Sequence, residues 1–122
     1  MIARMGAVET SFAEIVWENE PLPSGELVRL SEEKLNWKKS TTYTVLKRLC
    51  ERGILQNDGG TVTALVSRAE YEAAQSENFV EEAFHGSLPA FLTAFTRRRK
   101  LSEAEIQELE ALIRESRGVK PC

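Results

Sequence analysis

With 122 residues, 42% of them hydrophobic, and four prolines, the chain has the composition of one folded domain or a small domain with an appendage, and not of a disordered polypeptide. A net charge of −3 speaks against a general polyanion binder. No apolar run approaches the roughly 20 residues that span a bilayer, and Met1-Ile-Ala-Arg-Met-Gly lacks the apolar core of a signal peptide, so the sequence predicts a cytoplasmic protein without membrane insertion.

The first helix is predicted from about Ala7 to Glu18, where Val8, Phe12, Ile15 and Val16 recur at helical spacing with Trp17 at the edge of the stripe. Asn19-Glu20-Pro21-Leu22-Pro23 breaks it, because proline neither extends a helix nor leaves the preceding residue free to do so. Ser24 is placed as the cap of a second helix reaching about Lys34, with Leu27, Val28 and Leu30 inward. Leu35-Asn36-Trp37 forms the turn into the third helix, and Trp37 reads as a plug between helices.

The third helix carries the chemistry. Ser40 is its expected cap and Gly53 its left-handed end. Thr42, Val45, Leu46 and Leu49 define the inward face, while Ser40, Thr44, Lys47 and Glu51 point away with Tyr43 and Arg48 on the flanks. Hydroxyls read base edges and cations neutralise phosphate, so this face suits a DNA major groove. Residues 34–52 hold six cations against Glu51, a local charge of +5; Arg97, Arg98, Arg99 and Lys100 add +4, and the rest of the chain carries −12. An acidic body with one basic surface binds DNA selectively and with strong salt dependence.

After Gly53 the period changes. Ile54-Leu55-Gln56-Asn57 and Thr61-Val62-Thr63-Ala64-Leu65-Val66 are β-prone runs joined by Asp58-Gly59-Gly60, a hairpin signal. Three helices followed by a two-stranded wing is the order of a winged helix-turn-helix with the third helix as recognition helix. The expected architecture is mainly α, with this DNA-binding domain at residues 1–70 and a helical dimerisation domain at 71–122. Ser67 begins a turn through Tyr71, and whether it runs on is open. Ser76 with Phe79, Val80, Ala83 and Phe84 predicts a helix to His85, stopped by Gly86. Ser87 opens another with Leu88, Phe91, Leu92 and Phe95. Ser102 and Glu105 form a capping box with a Leu101–Ile106 staple, ahead of an inward face of Ile106, Leu109, Leu112 and Ile113 that ends by Gly118. Helices this short bury too little surface to stand alone. The sequence therefore predicts a homodimer through residues 76–117, carried by Phe79, Val80, Phe84, Leu88, Phe91, Leu92, Phe95, Ile106, Leu109 and Ile113.

Nothing supports an enzyme or a cofactor. His85 ends a helix, where a cation suits the dipole, and the diglycine lies between strands rather than between strand and helix. Cys50 and Cys122 form neither a disulfide framework nor a ligand set; Cys50 reads as a structural thiol and Cys122 has no assigned role. The Arg97–Lys100 run has two readings, a solvated helix end and a second phosphate contact.

Taken in order, these residues resemble the penicillinase-repressor (BlaI/MecI) family of bacterial winged-helix repressors over nearly the whole chain. Glu9-x-x-Phe12 with Val16-Trp17 is similar to its first-helix signature. Ser40-Thr41-Thr42-Tyr43-Thr44-Val45-Leu46-Lys47-Arg48-Leu49 with Glu51-Arg52-Gly53 resembles its recognition helix. Ser76-Glu77-Asn78-Phe79, Phe91-Leu92-Thr93-Ala94-Phe95 and Leu101-Ser102-x-x-Glu105-Ile106-x-x-Leu109 resemble its dimerisation helices. The resemblance implies a dimer on a palindromic operator that blocks transcription, with Thr41, Thr42, Thr44 and Lys47 at recognition positions. Together with the face count this gives Lys38, Lys39, Ser40, Thr41, Tyr43, Thr44, Lys47 and Arg48 as the expected contacts to double-stranded DNA. It also implies a membrane-bound sensor metalloprotease as partner and a cut at Ala94–Phe95, where the family's usual Asn is replaced by Ala94. The wing departs from the family in lacking basic and aromatic residues, and the C-terminus lacks the Cys-x-Cys pairs of copper-responsive relatives. Two competing readings are a winged-helix adaptor that binds protein and not DNA, and a metal-responsive regulator, for which His85, Cys50 and Cys122 are poorly spaced.

Overall fold

The first helix, α1 (Ala7–Asn19), buries Phe12, Ala13, Ile15 and Val16. The structure, a computed structural model, describes residues 2–117. Val8 is not part of the buried stripe: it lies in the first turn and is 59% exposed, while Met5 closes the core at that end, its N–H donating to the Tyr71 hydroxyl at 2.7 Å. A short strand, β1 (Leu22–Pro23), precedes α2 (Ser24–Leu35). Leu27 and Leu30 turn inward as expected, with Ser31 beside them, and Val28 is half-buried. Asn36 ends α2 in a left-handed conformation, and Trp37 stacks on Phe12 at 5.3 Å between ring centroids.

The third helix, α3 (Lys39–Glu51), buries Thr42, Val45, Leu46 and Leu49, the face the periodicity gives. Its end at Gly53 (φ +77) is a Schellman closure: Gly53 N–H donates to the Cys50 carbonyl and Ile54 N–H to that of Leu49, both at 3.0 Å. The helix starts, however, do not follow the serines. Lys38 stands at the N-cap of α3 with Ser40 inside the helix, and Pro23 stands at the N-cap of α2 with Ser24 its first residue. Tertiary contacts override cap preference there. Pro23 pairs with Thr61 in the sheet, and the Ser24 N–H, a donor left over at the helix start, bonds the Gly60 carbonyl at 2.7 Å.

The sheet has three strands where two are expected. The hairpin of β2 (Leu55–Asp58) and β3 (Thr61–Ala64) is antiparallel, with Asp58 opposite Thr61 across Gly59-Gly60. Both glycines have positive φ, +60 and +95, as a two-residue primed turn requires. β1 adds to the far side of β3, Leu22 opposite Val62. A two-residue strand that includes a proline gives too short a period to announce itself, and proline is tolerated there because β1 is an edge. Val62, Leu55, Leu46 and Leu27 meet in one core with Phe12.

The Tyr71 turn runs on: one helix, α4, spans Arg68–Phe84, and Ser76 lies within it, its hydroxyl donating to the Ala73 carbonyl. His85 and Gly86 both turn left-handed after it (φ +52 and +82). Ser87 caps α5 (Leu88–Arg98), accepting the Ala90 N–H at 3.1 Å. Ser102 and Glu105 form their reciprocal box at the start of α6 (Glu103–Ser116). Gly118 and Cys122 lie outside the described residues. The chain divides into two compact units, Met1–Asn78 and Phe79–Cys122, whose boundary falls within α4.

Phe12 is among the fully buried side chains of the core. Replacing this fully buried ring with Ala removes its stacking on Trp37 and leaves a cavity, a change expected to cost about 3–5 kcal/mol. Urea unfolding followed by tryptophan fluorescence measures it; a loss below about 1 kcal/mol would show that the site collapses without cost.

Candidate nucleic-acid interface

Because Thr42, Val45, Leu46 and Leu49 fix the inward side of α3, the helix geometry decides what the outward side presents. Lys38, Lys39, Ser40, Thr41, Tyr43, Thr44, Lys47 and Arg48 are all exposed. Thr42, one of the positions given by resemblance, is fully buried, its hydroxyl donating to the Lys38 carbonyl at 3.3 Å. The Thr44 hydroxyl donates to the Ser40 carbonyl at 2.9 Å, which fixes its rotamer and leaves its oxygen lone pairs facing out. Tyr43 reaches back to α2, its hydroxyl donating to Ser24 Oγ at 3.1 Å, so its ring lies across the junction of the two helices.

The cations of α3 are not equivalent. Among the described residues Lys38, Lys39 and Lys47 have no ion-pair partner, whereas Arg48 and Arg52 converge on one acid of α1. Glu9 Oε1 accepts the Gly6 N–H and Arg52 Nη1, both at 3.1 Å, and Oε2 accepts Arg48 Nη1 at 3.4 Å. Arg52 also donates through Nη2 to the carbonyls of Ala3 and Arg4 at 3.3 and 3.0 Å, tying the N-terminal segment to the end of α3. The Gly6 hydrogen bond, seconded by the two guanidiniums, holds the Glu9 carboxyl below the usual carboxylate range against an opposing effect of burial. In the sequence Glu9 figures only in the first-helix signature, with no sign of this role. An acid one turn before Phe12 gives no local sign that its partners lie 39 and 43 positions away.

The wing carries no cation: Asn57 Oδ1 accepts the Gly60 N–H at 3.0 Å and closes the turn on itself. Cys50 is half-buried, and burial pushes its thiol up. No three His, Cys, Asp or Glu side chains among the described residues converge as metal ligands, and no described helix is long and apolar enough to cross a membrane.

In the second unit, Phe79, Phe84, Phe91 and Phe95 form a chain of ring contacts 5.6–6.0 Å apart. Yet no residue of α5 or α6 is fully buried. Leu112 and Ile113, expected inward, are 59% and 53% exposed in the single protomer, and Leu88 is 54% exposed, so the apolar stripe has too little protein to face. A hollow of about 410 Å³ opens between α5 and α6 beside Phe95 and Leu109. Arg99 is held by Glu105 at 2.9 Å and lies over the Phe95 ring; Arg97, Arg98 and Lys100 have no ion-pair partner among the described residues.

The family model described as penicillinase repressor matches residues 5–115. The penicillinase repressor of Bacillus licheniformis is 24% identical over 123 residues, covering 98% of this chain and 96% of that protein. The methicillin resistance regulatory protein MecI of Staphylococcus epidermidis is 20% identical over 113 residues, covering 89% and 92%. Among solved structures, monomeric B. licheniformis BlaI in complex with the blaP half-operator matches at a TM-score of 0.50 and 20% identity, over 58% of this chain and 92% of that one. The likeness shows the winged-helix fold.

Glu9 makes the stability of the first unit pH-dependent. Its folded-state value is depressed, so its contribution is present above the ordinary carboxylate value of about 4.3 and is lost as pH falls through the lower folded value. Glu9→Gln is therefore less stable than the wild type near neutrality, and the gap between the two narrows below about pH 4. Thermal melts from about pH 3 to pH 7 check this; a gap constant over that window contradicts it.

Proposed function

Because the chain belongs to the penicillinase repressor family, whose model spans residues 5–115, we propose that it is a sequence-specific DNA-binding repressor that holds a palindromic operator as a homodimer. The observation that carries the reading is the outward face of α3. Three lysines without described partners, Lys38, Lys39 and Lys47, surround the exposed hydroxyls of Ser40, Thr41 and Thr44 on a helix anchored along its other side. In the complex the lysines neutralise phosphates and fix the register. The hydroxyls of Thr41 and Thr44 reach base edges, and Tyr43 lies along the flank against the sugar-phosphate backbone. The cation-free wing contributes little to affinity, so α3 carries most of it.

Twofold symmetry supplies the second half of the contact set. The exposed apolar residues Phe79, Leu88, Phe95, Leu112 and Ile113 support the second unit as the surface where two copies meet. Release of repression by proteolysis follows the same logic. The Ala94–Phe95 bond lies within α5, and a cut there separates the Phe95 ring and α6 from Phe91. The partner that fits is a membrane-bound sensor metalloprotease, or a protease it activates, reading α5 when that helix opens. Repression itself needs no catalytic group and no cofactor.

Two measurements test the reading. The protein protects a short inverted repeat in promoter fragments from its own locus, and Lys47→Ala weakens binding to all sequences and lowers the salt slope by about 1 per protomer. Binding that ignores salt, or no protection on any fragment, counts against DNA binding. Ile113→Glu, at an exposed position that leaves the protomer's own packing intact, turns a dimer at micromolar concentration into a monomer by sedimentation and weakens operator binding with it. An unchanged sedimentation profile removes α6 from the dimer interface.

A further inference from the structure

Arg48 follows Thr44 by four residues and Thr41 by seven, so the three share one side of α3. A free guanidinium in that position would pair with phosphate whatever base sequence lay beside it. It is not free. Its Nη1 donates to Glu9 Oε2 at 3.4 Å, and the carboxylate that receives it is anchored independently by the Gly6 N–H and by Arg52, each at 3.1 Å on Oε1. The two partners differ in exposure: the Glu9 side chain is 18% exposed, that of Arg48 53%. The acid stays fixed when the arginine leaves, and the arginine is held by one long contact.

We infer that Glu9 is a positioning residue that withholds Arg48 from the DNA backbone and so lowers the affinity of α3 for duplexes of unmatched sequence. The inference rests on the DNA-binding reading above. Binding without sequence preference is essentially electrostatic, so one cation withheld is felt there in full. On a matched site, base-edge contacts fix the register of α3, and Arg48 must take whatever phosphate that register offers. Releasing it then gains less. Glu9 thereby widens the difference between matched and unmatched DNA, consistent with a chain that is acidic outside its two basic segments.

Titration of Glu9→Gln with short duplexes of scrambled sequence, at several salt concentrations, is the test. The expected result is binding roughly two- to five-fold tighter than wild type at low salt, the size of an exposed ion pair, with a salt slope steeper by about 0.9 per protomer. The gain on the protected inverted repeat is smaller. Two controls separate release of Arg48 from the mere loss of a negative charge. Glu14→Gln, an exposed acid on α1, changes the charge equally and leaves the slope as it was, and Glu9→Gln added to Arg48→Gln gives no gain. Should thermal melts show that Glu9→Gln does not fold, Glu9→Asp takes its place, since a carboxylate one methylene shorter surrenders the longest contact first. No tightening on scrambled DNA, or an equal gain with Glu14→Gln or in the Arg48→Gln background, overturns the inference while leaving DNA binding intact. Wild-type protein that binds no duplex overturns the DNA-binding reading and this inference with it.

Discussion

The buried stripe of α3 is the constraint on which the first unit depends. Thr42, Val45, Leu46 and Leu49 sit against a core shared by α1, α2 and the sheet, and a helix with one side fixed has no freedom left in what its other side presents. A one-residue slip would swing Thr42 outward and turn Lys47 or Arg48 toward the core, at a cost comparable to losing a hydrogen bond or more. The position of Lys47 or Thr44 on the surface is thus a consequence of hydrophobic packing. The Schellman closure at Gly53 fixes the other variable, where the chain leaves α3 for β2.

Much of this was legible in the sequence, and the limits are physical. Periodicity marks the buried face of α3 and Phe12, Ile15 and Val16 in α1, and turn and cap residues mark the diglycine hairpin and the capping box at Ser102, because each is a local pattern with a local cause. Serine as a cap succeeded at Ser87 and Ser102, which open helices without a strand pinning the preceding residue. It failed at Ser24, where β1 pairing makes Pro23 the cap and Ser24 the first helical residue, and at Ser40, where the chain is already helical at Lys39 after the Trp37 plug. β1 and the Glu9 site were illegible for one reason: both join residues some 40 positions apart, Leu22 with Val62 and Glu9 with Arg48 and Arg52. Neither leaves a period in the sequence.

Charge counting alone also overstates the basic surface. The +5 of residues 34–52 includes Arg48 and Arg52, which spend their charge on Glu9, and Arg52 spends further donors on the carbonyls of Ala3 and Arg4. What remains unpaired on the outward face is lysine. Lysine is a compact, mobile point charge that tracks phosphate without demanding a geometry, whereas arginine's planar fork is suited to fixed bidentate partners. At the end of α3 Arg52 ties down the N-terminal segment and Arg48 rests on Glu9 by one long contact, while Lys38, Lys39 and Lys47 have no ion-pair partner among the described residues. That division matches the task of each side chain.

The second unit poses the opposite problem. It has side chains of a core, four phenylalanines in ring contact and a row of leucines, and yet α5 and α6 contain no fully buried residue. Two short helices cannot enclose that much apolar surface by themselves, because too large a fraction of any small unit remains at its boundary. Exposed Leu88, Leu112 and Ile113 would be a liability on a lone protomer. In the proposed dimer a second copy would cover these residues and double the number of phosphates neutralised per binding event. Under that proposal assembly and DNA affinity would draw on the same residues of α5 and α6, and an event that opened α5 would weaken the hold on DNA without touching α3.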